Sequence, residues 1–221
     1  MDLDRATLAR MIDHTLLRPE ATPAEVTALC VEASAWGVAA VCVSPSVLPL
    51  APGSLRAGTA VATVVGFPSG AHQPRVKVRE AQAAVEQGAA EVDMVVNLGA
   101  IAAAQWVALE REIAQVKHAV DGTLLKVIVE SALWDQTVLT RVCQIAEAAG
   151  ADFVKTSSGF HPAGGASVEA VTTMRAAVGG RLGIKASGGI RTLAAAQAMI
   201  AAGATRLGLS ATGVILAELA A

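Results

Sequence analysis

"VLTRVCQIAEAAGADFVKTSSGF", residues 138–160, holds one structural unit of this chain. Its first part carries apolar residues at helical spacing, and Gly150 stops that pattern. "ADFVKTS" (151–157) then reads as a short strand. The strand closes on a lysine followed by small polar residues. An ammonium group is unwelcome at the end of a buried strand. Either the chain surfaces at Lys155, or an amine able to lose its proton is wanted there.

The same form recurs on both sides. Strand candidates are "MIDHT" (11–15), "VAAVCV" (38–43), "AVATVVGF" (60–67), "AEVDMVV" (90–96), "LLKVIVE" (124–130), "RLGIKAS" (181–187) and "TRLGLS" (205–210). Ala-, Glu- and Gln-rich stretches with helical spacing separate them. In "TPAEVTALCVEASAWG" (22–37), Thr22 is placed as N-cap, Pro23 at the first helical position and Gly37 as terminator. Gly88, Gly150 and Gly203 are expected to end helices and lead at once into strands. Eight βα units predict an α/β fold, a single-domain (β/α)8 TIM barrel over residues 1–221. An open doubly wound sheet fits less well, because no GxGxxG follows an early strand.

Bulk properties narrow the function. Net charge is −2 and the chain is 53% hydrophobic but 3% aromatic. That balance predicts no nucleic-acid or membrane surface. No apolar run reaches the roughly 18 residues of a membrane helix. Three widely spaced cysteines and a charged opening, "MDLDRATLAR", point to a reduced, cytoplasmic protein. Cys42 reads as an inward core residue. The four histidines are scattered without metal-ligand spacing, so neither a metal nor another cofactor is expected.

In such barrels the C-terminal strand ends form the site. Asp13, Asp93, Asn97, Glu130, Lys155, Lys185 and Ser210 fall there. Strand alternation puts Ala151, Phe153 and Lys155 on one face of the sixth strand, and likewise Gly183, Lys185 and Ser187 on one face of the seventh. The chain has twelve arginines and five lysines, yet Lys126, Lys155 and Lys185 all lie in predicted strands. Arginine cannot be deprotonated in practice, whereas a buried lysine beside a second cation can. The plain alternative is that these lysines snorkel to solvent. Asp13 is placed to orient Lys185, and Lys126 and Glu130 to form a supporting pair. "KASGGIRT" and "LGLSATG" put Gly188, Gly189, Gly208 and Ser210 after strands seven and eight, the usual phosphate position in these barrels. Turn and cap glycines would read the same way.

The stretches "IDHTLLRP", "VCVSP", "TVVGFPSG", "EVDMVVN", "LKVIVE", "FVKTSSGF", "IKASGGIRT" and "RLGLS" resemble the 2-deoxyribose-5-phosphate aldolase family across nearly every strand end. The resemblance implies Lys155 as Schiff-base lysine, Lys185 as the neighbour lowering its pKa, and Asp93 as the proton-transfer carboxylate. It implies reversible cleavage of 2-deoxy-D-ribose 5-phosphate to acetaldehyde and glyceraldehyde 3-phosphate without metal, with phosphate held at Gly188, Gly189 and Ser210. The partners are thus small phosphosugars and aldehydes, with a homodimer left open. Three differences stand out: Ala211 replaces a second serine, no tyrosine ends the "VILAELAA" tail, and Arg18 stands where lysine is common and reads as a surface change. A phosphosugar isomerase or epimerase, or a non-catalytic phosphometabolite-binding barrel, would use the same loops without an imine.

Overall fold

The computed structural model describes residues 3–219, so residues 1, 2, 220 and 221 of the expected span lie outside the described residues. Eight parallel strands close into a barrel in sequence order. They are β1 (Ile12–Leu16), β2 (Ala40–Val43), β3 (Ala60–Val65), β4 (Glu91–Val95), β5 (Leu124–Ile128), β6 (Phe153–Lys155), β7 (Gly183–Ser187) and β8 (Arg206–Leu209). The helices are α1 (Arg5–Ala9), α2 (Pro23–Trp36), α3 (Pro74–Glu86), α4 (Leu98–Ala102), α5 (Trp106–Ala119), α6 (Gln136–Ala148), α7 (Val168–Val178), α8 (Leu193–Ala201) and α9 (Thr212–Glu218). Each expected strand is present, generally trimmed at its ends.

Local chemistry sets the helix ends. Thr22 caps α2 in a capping box with Glu25, Pro23 sits in the first turn, and Gly37 takes the left-handed conformation that ends the helix. Gly88, Gly150 and Gly203 also have positive φ. Contrary to expectation they do not lead at once into strands: each strand begins three residues later, at Glu91, Phe153 and Arg206. The intervening residues turn the chain from the helix layer back to the barrel. Residues 214–218 of the tail belong to α9, while α1 and α4 were not anticipated; both are five-residue helices, too short to show a period.

Two apolar layers result. Val41, Val43, Val92, Met94, Leu125, Val127, Val154 and Ile184 face out and pack under the helices. Ala40, Cys42, Ala62, Val64 and Leu17 form a smaller cluster on the other strand face. The barrel interior is therefore apolar along β2 and β3. Continuing around the ring, register pairs Val64 with Asp93, Asp93 with Lys126, and Lys155 with Lys185. That remaining arc is ionic.

A second buried ion pair lies outside the ring. Lys77 of α3 donates to Glu112 of α5 at 2.7 Å and to the Val95 carbonyl at 2.8 Å. The other Glu112 oxygen accepts from Asn97 N at 2.9 Å. Gly66, with φ of 62°, leaves room for the lysine stem, since a Cβ there would lie 2.8 Å from Lys77 Cε. This bracket ties two helices to the end of β4, the strand that carries Asp93.

Candidate active site

Asp93 is the hub. From the centre of β4, its Oδ2 accepts from Lys155 and from Lys185, each at 2.7 Å, while Oδ1 accepts from Lys126 at 2.8 Å. Lys185 also donates to Asp13 Oδ2. Lys126 reaches Glu91 at 2.6 Å and Asp13 at 3.7 Å. Arg206 closes the group, donating to Asp13 at 2.6 Å and to Glu91 at 3.3 Å. Four cations thus face three carboxylates, and Asp13, Asp93, Lys126 and Lys185 are fully buried.

The neighbour count differs among the amines. Lys126 meets three carboxylates, Lys185 two and Lys155 one. Burial pushes every one of these lysines toward the neutral form. For Lys185 and Lys126 the carboxylates outweigh burial and hold the pKa above the ordinary lysine value. For Lys155 burial wins: Asp93 pulls the pKa up, Lys185 pushes it down, and it settles below the ordinary value. Among these three amines, the one most ready to lose its proton is Lys155. Burial raises Asp93 and Asp13 as well, but the surrounding cations overcome it. Asp93 lies well below the usual carboxylate range and Asp13 at about 2.

Lys155 forms part of the wall of a cavity of about 390 Å³ at the C-terminal end of the barrel. Gly188, Gly189, Gly208 and Ser210 share that wall, together with Thr15, Arg18, Ser158, Phe160, Ser187 and Arg191. The lysine and the glycine loops therefore open onto one space. A positively charged Arg191 beside the glycine pair suits an anionic ligand. Gly208 lies inside β8 rather than after it, in register with Ser187. Phe153 does share the inward face with Lys155, and its ring fills the space that a side chain at Gly183 would need, with a Cβ there only 2.1 Å away. Arg206 stacks over that ring at 5.7 Å.

Two expectations need correction. Lys126 does not pair with Glu130. The chain turns at Glu130, where φ is 49°, and its Oε1 instead accepts from Ser158 N at 2.8 Å. Arg18 is no remote surface position, because it lines the cavity and pairs with Glu20 and Glu25. Asn97 falls just beyond the C-terminal end of β4, as expected, where it serves as the N-cap of α4. Glu91 and Arg206 were missed altogether. Period-two spacing back from Asp93 and from Gly208 would have found them on the inward face. Cys42 is buried as expected, and burial raises its thiol pKa. Among the described residues no helix is long and apolar enough to cross a membrane.

Residues 7–217 match a family model described as DeoC/LacD family aldolase. The chain is 60% identical over 216 residues to a deoxyribose-phosphate aldolase of Mycolicibacterium paratuberculosis, covering 96% of each chain. It is 59% identical over 214 residues to the one of Nocardia farcinica, covering 96% of this chain and 94% of that one. Among solved structures, the aldolase QR15 superposes with a TM-score of 0.91 at 36% identity, covering 96% of both chains. A tetrameric deoxyribose phosphate aldolase of Aeropyrum pernix gives 0.89 at 35% identity, covering 98% of this chain and 92% of that one.

Proposed function

This chain belongs to the DeoC/LacD family of aldolases, and we infer that it reversibly cleaves 2-deoxy-D-ribose 5-phosphate to acetaldehyde and D-glyceraldehyde 3-phosphate through a lysine imine. The observation that carries the site assignment is the singular position of Lys155. It is the amine with the fewest carboxylate neighbours in the cluster, and the one on the cavity wall.

The neutral Lys155 amine attacks C1 of the open-chain sugar, and loss of water gives an iminium. Asp93, still ionised, takes the proton of the C3 hydroxyl directly or through water. The C2–C3 bond then breaks. Its electron pair flows to the iminium, glyceraldehyde 3-phosphate leaves, and an enamine remains. Protonation at C2 and hydrolysis release acetaldehyde and restore the amine. Lys185 keeps Lys155 from holding its proton, Asp13 anchors Lys185, and Lys126 fixes the other Asp93 oxygen. Gly188, Gly189, Gly208 and Ser210 hold the phosphate, on the wall of the cavity that Lys155 also lines. The catalytic unit is one domain over residues 1–221, and the partners are small phosphosugars and aldehydes. A homodimer is the assembly we favour.

Borohydride reduction in the presence of acetaldehyde, followed by peptide mapping, tests this reading. A stable two-carbon adduct is expected on the peptide holding Lys155, and it should vanish in Lys155→Arg. Adduct on Lys185 or Lys126 would reverse the assignment of roles. An isomerase or a binding barrel would give no adduct.

A further inference from the structure

Ser187 ends β7 two residues beyond Lys185 on the same inward face, and immediately precedes Gly188 and Gly189. Its backbone is lashed in place. Its N–H donates to Thr156 Oγ1 at 3.0 Å, and its carbonyl accepts from Ser157 Oγ at 2.6 Å and from Ala166 N at 3.0 Å. The side chain is treated differently. Its hydroxyl has no hydrogen-bond partner among the described residues, although the residue is only 5% exposed. A buried hydroxyl without a partner is disfavoured, and it persists in a folded protein where something else supplies the bond.

The room around that hydroxyl is kept open. Gly208 faces Ser187 across the β7–β8 pair, and a Cβ there would come within 2.3 Å of Ser187 Oγ. Both residues line the cavity that contains Lys155. The hydroxyl therefore stands between the amine level of the barrel and the glycine loop.

We propose that Ser187 Oγ hydrogen-bonds the C4 hydroxyl of the sugar, the oxygen next to the phosphate-bearing carbon, and so selects acceptor aldehydes that carry it. This rests on the aldolase reading above. A five-carbon chain fixed at C1 by Lys155 and at its phosphate by Gly188 and Gly189 must pass Ser187. The C3 oxygen surrenders its proton during cleavage and belongs to Asp93. The C4 oxygen keeps its proton throughout and, one carbon from the phosphate-bearing C5, falls on the side of the glycine pair when the phosphate is held there. A site built to bind a hydroxyl discriminates strongly against an analogue that lacks it, because its own polar group is then left unpaired.

The test runs the reaction in the synthetic direction with acetaldehyde and one of two phosphorylated acceptors: D-glyceraldehyde 3-phosphate, or 3-oxopropyl phosphate, which lacks the hydroxyl. Replacing Ser187→Ala should lower the ratio of kcat/KM for the first over the second by about tenfold, the usual size of one lost hydrogen bond. An equal fall on both acceptors, or no change on either, overturns the proposal; the equal fall would place Ser187 on the phosphate or in the framework. Should Ser187→Ala not fold, Ser187→Cys, similar in volume and a weaker donor, is read by the same ratio. Borohydride trapping with acetaldehyde alone separates the two levels. If the wild-type protein forms no adduct, the aldolase reading and this proposal fall together. If the adduct forms on Lys155 while the ratio stays unchanged, only the Ser187 assignment fails.

Discussion

Lys155 and Lys185 are register partners on adjacent strands and donate to the same carboxylate oxygen, Asp93 Oδ2, each at 2.7 Å. Two ammonium groups held this close repel each other. Asp13 binds only one of the pair, so the repulsion is relieved by loss of the Lys155 proton. With Lys155 neutral, three cations face three carboxylates.

Replacing Lys185→Leu removes a cation next to Lys155 and leaves Asp93 more fully to it. Both changes raise the Lys155 pKa. The nucleophile is then protonated over a wider range, and the acid limb of the kcat/KM profile should move to higher pH by about one unit or more. A profile displaced to lower pH would contradict the role given to Lys185.

Asp93→Asn acts in the opposite direction on the same group. Without the carboxylate, nothing offsets burial and Lys185, so the Lys155 pKa falls and the acid limb moves to lower pH. Turnover nevertheless drops, because proton transfer is lost, by about 10²-fold or more. Near-normal kcat in a folded variant would make Asp93 a purely structural residue.

Ser210→Asp places a negative charge on the cavity wall beside the glycine loop without altering a positive-φ residue. KM should rise far more for deoxyribose 5-phosphate than for free deoxyribose. Parallel increases for the two sugars would move the phosphate elsewhere.

Asp13 carries a pH-dependent share of stability. Its pKa is about 2 in the folded chain against 3.8 ordinarily, so its contribution is complete above about pH 4 and disappears as pH falls through 2. That share is roughly 2 kcal/mol. Urea titrations from pH 6 to pH 2.5 should show a steeper acid loss for the wild type than for Asp13→Asn, which begins less stable. Parallel curves would argue against it.

Lys77→Met should cost about 3–5 kcal/mol in chemical denaturation, because Glu112 is left buried and uncompensated. Lys77→Met with Glu112→Leu should cost less than the sum of the two single changes. Additive losses would mean the pair is not coupled.

The strands were legible because a βα repeat writes short Val- and Ile-rich runs between helical stretches, and Asp13, Asp93, Lys155 and Lys185 stood out as polar residues inside such runs. Glu91 and Arg206 were not legible at first sight. They sit at the starts of β4 and β8, away from the end where function is sought, and their role depends on partners across the ring. The supposed Lys126–Glu130 pair failed for a local reason. Parity along the strand puts both on one face, but the strand ends at Ile128 and the backbone turns at Glu130. Likewise the Lys77 bracket joins residues 35 apart on separate helices, a distance that spacing rules do not reach.

The ring closes by laying β8 against β1. Asp13 consequently meets Lys185 and Arg206 across 172 and 193 residues of chain. On a ribosome, that separation is on the order of ten seconds or more of synthesis. During this interval the early carboxylate has neither of those cations. Without β7 and β8, three carboxylates would face only Lys126 and Lys155, and Asp13 would keep only the Lys126 contact at 3.7 Å, so a barrel left open there carries an uncompensated charge. The charge cluster is complete only in the closed barrel.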